Sequence, residues 1–174
     1  MDLMDIALLV IAALEFIFPA YCANGTPVLA GGGPKMDFGK NFFDGKRIFG
    51  NNKTFRGFFF GWGIGLGVGL VEGLVFGFDK FPVLFAILTP LGALLGDLTG
   101  AFIKRRLNIA PGGLLPIVDQ IDFVVGAVVF SLPLAMISWQ ISWQVAVTVL
   151  LITPPIHLFT NFLAYKLKLK KNPW

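Results

Sequence analysis

The stretch GFFFGWGIGLGVGLVEGLVFGF, Gly57 to Phe78, holds one charged residue in 22 positions and a glycine at every fourth, from Gly57 through Gly61, Gly65, Gly69 and Gly73 to Gly77. About 20 apolar residues are what an α-helix needs to cross a hydrocarbon layer. Small residues four apart let a second helix approach backbone to backbone. The segment therefore reads as a membrane span with a packing face, and the same ladder would suit a homodimer. Glu72 inside it is the exception, because an acid at membrane depth is costly and by default functional. Glu15, in the first apolar run, raises the same question.

The rest of the chain has the same character. Of its 174 residues, 56% are apolar and 14% charged, whereas a soluble domain averages about a quarter charged. Besides Gly57 to Phe78, apolar runs cover Leu3 to Ala20, Pro82 to Ile103, Ile117 to Trp139 and Trp143 to Tyr165. The expectation is an all-α, polytopic membrane protein of five transmembrane helices, forming a single integral membrane domain over residues 1–174. With Asp2 and Asp5 at its start and no basic leader, the first run is expected to remain as a span. Cys22 is the only cysteine, which excludes an intrachain disulfide and a cysteine metal cage.

Five spans put the loop at about 21–56, the loop at about 104–120 and the C-terminal tail on one side. Thirteen of the fourteen Lys and Arg then share that side, leaving Lys80 opposite. By the positive-inside rule that side is cytoplasmic and the N-terminus lies outside. Four or six spans would split the basic residues between the faces. The expected location is the cell membrane, multi-pass, with the polar loops facing the cytoplasm.

Two acidic segments meet at that level. In GDLTGAFIKRRL, Gly96 to Leu107, Asp97 and Lys104 are seven residues apart and project from one helix face. In LPIVDQIDF, Leu115 to Phe123, Asp119 and Asp122 are three apart, just after Pro116 at the mouth of the fourth run. The short turn NIAPGG between the two helices makes them antiparallel neighbours. Three carboxylates and a lysine could then converge, and hard oxygen donors of this kind suit Mg2+, which usually arrives with a phosphorylated substrate. The alternative is purely structural: Asp119 and Asp122 favour a helix N-terminus while Asp97 pairs with Lys104.

At these residues the sequence resembles membrane CTP-dependent cytidylyltransferases of the CDP-diacylglycerol synthase type. Lys104-Arg105 and Asp119-Gln120-Ile121-Asp122 fill the ends of that signature. Gln120 stands where the signature has arginine, and the bacterial His-Gly-Gly is missing before Asp119. The first loop, with its segments ANGTPVLAGGGP, MDFGK, DGKR and KTFRG, is similar to that of the archaeal branch, the CDP-archaeol synthases. The resemblance implies transfer of CMP from CTP to 2,3-bis-O-geranylgeranylglycerol 1-phosphate, an isoprenoid glycerol-ether lipid phosphate drawn from the membrane. It gives Asp97, Lys104, Asp119 and Asp122 the catalytic roles, with Mg2+ on the three aspartates and Lys104 meeting phosphate charge.

The chemistry suits those residue types. A lipid phosphate is already an anionic nucleophile, so what must be supplied is alignment of two anions and stabilisation of the leaving pyrophosphate. From the loop, Asn24 and Thr26 can hydrogen-bond a nucleotide, and Gly31, Gly32 and Gly33 allow close backbone approach. Lys46, Lys53 and Arg56 can neutralise phosphates, although each basic residue taken singly also serves as a topology determinant. The P-loop pattern is absent, and no nucleic-acid partner is expected.

His157, alone among ITPPIHLFT, reads as a helix-packing histidine, and Pro154-Pro155 as a kink. The tail YKLKLKKNPW reads as an interfacial anchor, and Trp139, Trp143 and Trp174 as interfacial belt residues. Two other classes compete: a small ion-coupled transporter relaying through Glu15, Glu72 and Asp97, and a CTP-dependent polyprenol kinase.

Overall fold

A computed structural model describes residues 2–134 and 142–173. They form five α-helices, α1 (Leu3–Ala30), α2 (Phe55–Phe76), α3 (Val83–Arg106), α4 (Val118–Ser131) and α5 (Trp143–Lys166), with a 3-10 turn at Leu132–Leu134 after α4. No strand occurs among the described residues, in which Lys35 with Thr54 and Asn41 with Arg47 make isolated bridges. Among these residues α1, α2, α3 and α5 are long and apolar enough to cross a membrane. The 14 residues of α4 rise only about 21 Å. The expected fourth span continues into residues 135–141, outside the described residues, as do Trp139 and Trp174.

One helix end departs from expectation. α1 continues to Ala30 instead of stopping near Ala20, so Asn24 and Thr26 are helical and the first loop is shorter than 21–56. Asn24-Gly25-Thr26-Pro27 carries loop signals, but packing outweighs them. Ala23 is fully buried, and a Cβ added at Gly61 would sit 2.6 Å from the Ala23 carbonyl oxygen. At the other end, Asp2 and Asp5 close a reciprocal capping box.

The four-residue ladder of α2 is a packing face. A Cβ at Gly65 would lie 2.8 Å from the Pro19 carbonyl oxygen, at Gly69 2.7 Å from Ala86 Cα, and at Gly57 3.2 Å from Pro27 Cβ. These contacts set α2 against α1 and α3. Gly77 ends the helix instead, with a φ of 100°.

A second glycine set, which sequence reading passed over, joins α3 to α4. A Cβ at Gly126 would lie 2.9 Å from Gly96 Cα and press on the Gly92 carbonyl oxygen, while Gly96 and Gly100 face Phe123 and Asp122. The pairing is antiparallel, as the short connection requires. Buried Thr89 and Ser131 hydrogen-bond across it at 2.8 Å, and Tyr21 reaches Thr153 on α5 at 2.8 Å. Phe16, Phe81, Phe85 and Phe123 fill the core.

Candidate active site

The C-terminal ends of α1, α3 and α5 and the N-terminal ends of α2 and α4 surround one cavity of about 1050 Å3. Asp97, Lys104, Asp119 and Asp122 all line it. The close fit of α3 on α4 is what brings them together. A glycine at position 100 leaves room for the Asp122 carboxylate, which a Cβ there would displace.

Each carboxylate has a distinct setting. Asp97 pairs with Lys53 at 2.5 Å. Asp119 pairs with Lys104 at 2.9 Å and accepts the Leu115 amide at 3.0 Å through the same Oδ2. Its Oδ1 is buried and has no hydrogen-bond partner among the described residues. Asp122 accepts the Phe123 amide at 2.6 Å and interacts with the charges of Asp97, Lys53 and Asp119. Lys104, which the purely structural alternative pairs with Asp97 on the same helix face, instead turns to Asp119 and to the Gly113 carbonyl at 3.1 Å.

Of the expected nucleotide contacts, Asn24, Gly31, Gly32, Gly33 and Lys53 line the cavity. Lys53 is fixed in place because its neighbour Thr54 caps α2 by accepting the Gly57 amide at 3.2 Å. The other three are not among the lining residues. Thr26 Oγ1 donates back to Cys22 O at 2.7 Å, the intrahelical bond that a threonine on a helix commonly makes. Lys46 Nζ donates to Arg106 O at 2.8 Å, and Arg56 lies over the Phe60 ring at 5.8 Å.

Lys46 helps hold the first loop in place. Its bond satisfies a carbonyl at the C-terminal end of α3, where a cation is electrostatically favoured. Arg106 reciprocates by donating to Arg47 O at 2.6 Å, pairing with Asp44 at 2.9 Å and stacking over Phe102 at 4.5 Å.

Within the loop, buried Asp37 accepts from the amides of Gly39, Phe49 and Gly50 at 2.9–3.1 Å and from Arg47 at 2.6 and 3.3 Å. Burial alone would raise its carboxyl, but the Arg47 guanidinium and these amides outweigh it and hold it below the ordinary carboxylate range.

Several lining residues, Arg105, His157 and Lys170 among them, were not placed in the site by sequence reasoning. Arg105 is 7% exposed, yet its Nε and Nη1 lack hydrogen-bond partners among the described residues. Its place in the Lys104-Arg105 pair was the available signal. His157 packs on Phe123 at 5.7 Å between ring centroids and lies 3.2 Å from Asn161 Nδ2, as a packing histidine would, but it also faces the cavity. Lys170 enters from the tail, which sequence had given to the membrane surface.

Far from these residues, Glu15 pairs with Lys80 at 2.7 Å. Glu72 is buried near that pair, its Oε2 without a hydrogen-bond partner among the described residues.

As to a metal, no group of three acidic, His or Cys side chains among the described residues is close enough to clasp an ion directly. Two of the three carboxylates are held by lysines. The donors nevertheless suit a hard divalent cation, and the orphaned Asp119 Oδ1 supplies a buried oxygen whose desolvation is otherwise uncompensated.

A family model described as CarS-like, CDP-archaeol synthase, matches residues 5–174. The CDP-archaeol synthase of Methanococcus maripaludis strain S2 is 44% identical, with 98% of this chain and all of that protein covered. The CDP-archaeol synthase of Pyrococcus furiosus is 43% identical over 95% of this chain and 98% of that one. A solved structure, described as an intramembrane enzyme for archaeal membrane lipid biosynthesis, superposes with a TM-score of 0.77. It is 36% identical and covers 86% of this chain and 92% of its own.

Proposed function

The chain belongs to the CDP-archaeol synthase family, and from that membership we propose that the cavity between α3, α4 and the first loop is where it transfers CMP. It is a multi-pass membrane protein and a CTP-dependent cytidylyltransferase of archaeal lipid biosynthesis. The reaction joins a lipid phosphate oxygen to the α-phosphorus of CTP and breaks the bond to the β-phosphate, releasing pyrophosphate. The lipid substrate is 2,3-bis-O-geranylgeranylglycerol 1-phosphate.

The observation that carries the assignment is the meeting of Asp97, Asp119 and Asp122 with Lys53, Lys104 and Arg105 in one cavity. Asp97, Asp119 and Asp122 would hold Mg2+, which when bound neutralises triphosphate and pyrophosphate charge. Lys104, held against Asp119 and the Gly113 carbonyl, keeps that carboxylate oriented. Arg105 offers a buried, unsatisfied guanidinium, and phosphate is the partner whose geometry matches its fork. Asn24 and the Gly31–Gly33 turn lie where a nucleotide could rest against backbone. We also propose five spans with the N-terminus outside and the cavity open to the cytoplasm, where CTP is available.

A transporter relay is the poorer fit, because Glu15 is engaged by Lys80 while Asp97 is engaged by Lys53. The decisive assay supplies purified protein with Mg2+, lipid phosphate and CTP labelled in cytosine or at the γ-phosphate. Cytosine label in the lipid with release of pyrophosphate is expected, whereas γ-label in the lipid would mean a kinase. Asp119→Asn should fold and lose at least about a hundredfold in kcat; full activity in that variant would overturn the site assignment.

A further inference from the structure

The C-terminal tail delivers a cation to the site by a defined turn. After α5 ends, Lys168 adopts a left-handed φ of 60°, and the amides of Leu169 and Lys170 fold back on the Ala164 carbonyl at 2.9 and 3.3 Å. The reversed chain then runs along the cavity, where Asn172 Nδ2 donates to the Gly112 carbonyl at 3.1 Å. The tail is thus tied at both ends, to α5 and to the turn between α3 and α4.

The four tail lysines are not equivalent. Lys166 and Lys168 are exposed, as an interfacial anchor would be, and Lys166 lies over Phe162 at 5.3 Å. Lys170 is half-buried, lines the cavity and interacts with the charges of Lys53, Asp119, Lys104 and Asp97. Burial and then the neighbouring Lys53 push its ammonium below the ordinary lysine value, with Asp119 and Asp97 opposing.

We propose that Lys170 is a phosphate-binding residue of the active site, carried in by a C-terminal strap that the Lys168 turn and the Asn172–Gly112 bond hold across the cavity. The proposal rests on the cytidylyl-transfer reading and concerns a residue outside the motifs that support it. The phosphate is that of CTP or of the lipid, and kinetics separates the two.

The test compares Lys170→Met, Lys170→Arg and Lys166→Gln in the full-length protein. Lys170→Met should raise KM for one substrate about tenfold, the scale of a lost charge-assisted hydrogen bond, with a smaller change in kcat. Lys170→Arg should recover most of the loss. Lys166→Gln removes a tail charge that does not line the cavity, and should match wild type. A shift in KM for CTP assigns the nucleotide phosphate, and a shift in KM for the lipid assigns the lipid phosphate. Unchanged KM for both, or a loss confined to kcat, overturns the proposal. Calorimetric titration with pyrophosphate and, separately, with glycerol 1-phosphate reads the same residue without turnover: Lys170→Met should bind one of them about tenfold more weakly, and equal binding of both would refute the assignment. Should wild type make no cytidylyl lipid, the reaction assignment fails while this titration still decides Lys170.

Discussion

Asp37 never contacts the aspartates of the site, yet the loop that carries Lys53 is organised around it. Its carboxylate gathers the Arg47 side chain and three backbone amides. Removing one member of such a buried set leaves several donors unsatisfied, at a cost of about 3 kcal/mol. Asp37→Ala should therefore expose residues 31–54 to limited proteolysis and raise KM for CTP severalfold; an unchanged digestion pattern would contradict this role. The pH sign follows from the depressed carboxyl. Its stabilisation is fully present above the unfolded carboxylate value of about 4 and is lost as pH falls through the lower folded value. Loop protection should accordingly stay flat from pH 8 to 5 and decline only below about 4. Asp97, Lys104, Asp119 and Asp122 were legible in the sequence because helical spacing alone puts each pair on a shared face. Asp37 and Lys170 were not, since their positions depend on loop and tail paths that no periodicity encodes, while Arg105, beside Lys104 on α3, was signalled by that pair but not placed in the site. Nor could spacing choose the ion pairs, so Lys104 answers Asp119 and Asp97 answers Lys53.

Helix packing here is decided by which glycines face backbone. Gly126 abuts the Gly92 carbonyl and Gly96 Cα, and backbone has little freedom to retreat. Gly126→Ala should push α3 from α4, destabilise the protein by about 1–3 kcal/mol and separate Asp97 from Asp119. Gly67 offers the contrast, since nothing lies within 4 Å of a Cβ built there. Gly67→Ala should be neutral or stabilise by up to about 1 kcal/mol through helix propensity alone. Thermal unfolding in detergent, monitored by size exclusion, orders the two variants; equal stability would remove the distinction. The four-residue ladder of α2 announced itself in the sequence by its length and regularity. Gly92, Gly96, Gly100 and Gly126 did not, because the last lies on a different helix and the set exists only once α3 and α4 are paired. The extension of α1 to Ala30 was hidden for a related reason: Asn24-Gly25-Thr26-Pro27 has the composition of a loop, and only burial of Ala23 against α2 makes it helical.

At the scale of the whole molecule, the cavity constrains the topology more tightly than hydropathy does. α3 ends at the cavity with Arg105, and the tail after α5 returns to it with Lys170. If α5 crosses the membrane over its 24 residues, its first residue Trp143 lies on the far side. The chain between Arg106 and Trp143 must then cross once, although α4 alone is too short to do so at about 21 Å against roughly 30 Å of hydrocarbon. A single crossing between Arg106 and Trp143 keeps the tail lysines with the basic loop, whereas a chain that failed to cross would put them on the opposite face. Single cysteines in a Cys22→Ser background test this with a membrane-impermeant thiol reagent on intact cells. Asp79→Cys, in the turn between α2 and α3, and Trp143→Cys should both label from outside. Phe43→Cys, fully exposed in the first loop, should label only after permeabilisation. Labelling of Trp143→Cys together with Phe43→Cys would mean that α4 does not cross, and labelling of Phe43→Cys alone on intact cells would invert the orientation and place the cavity away from CTP.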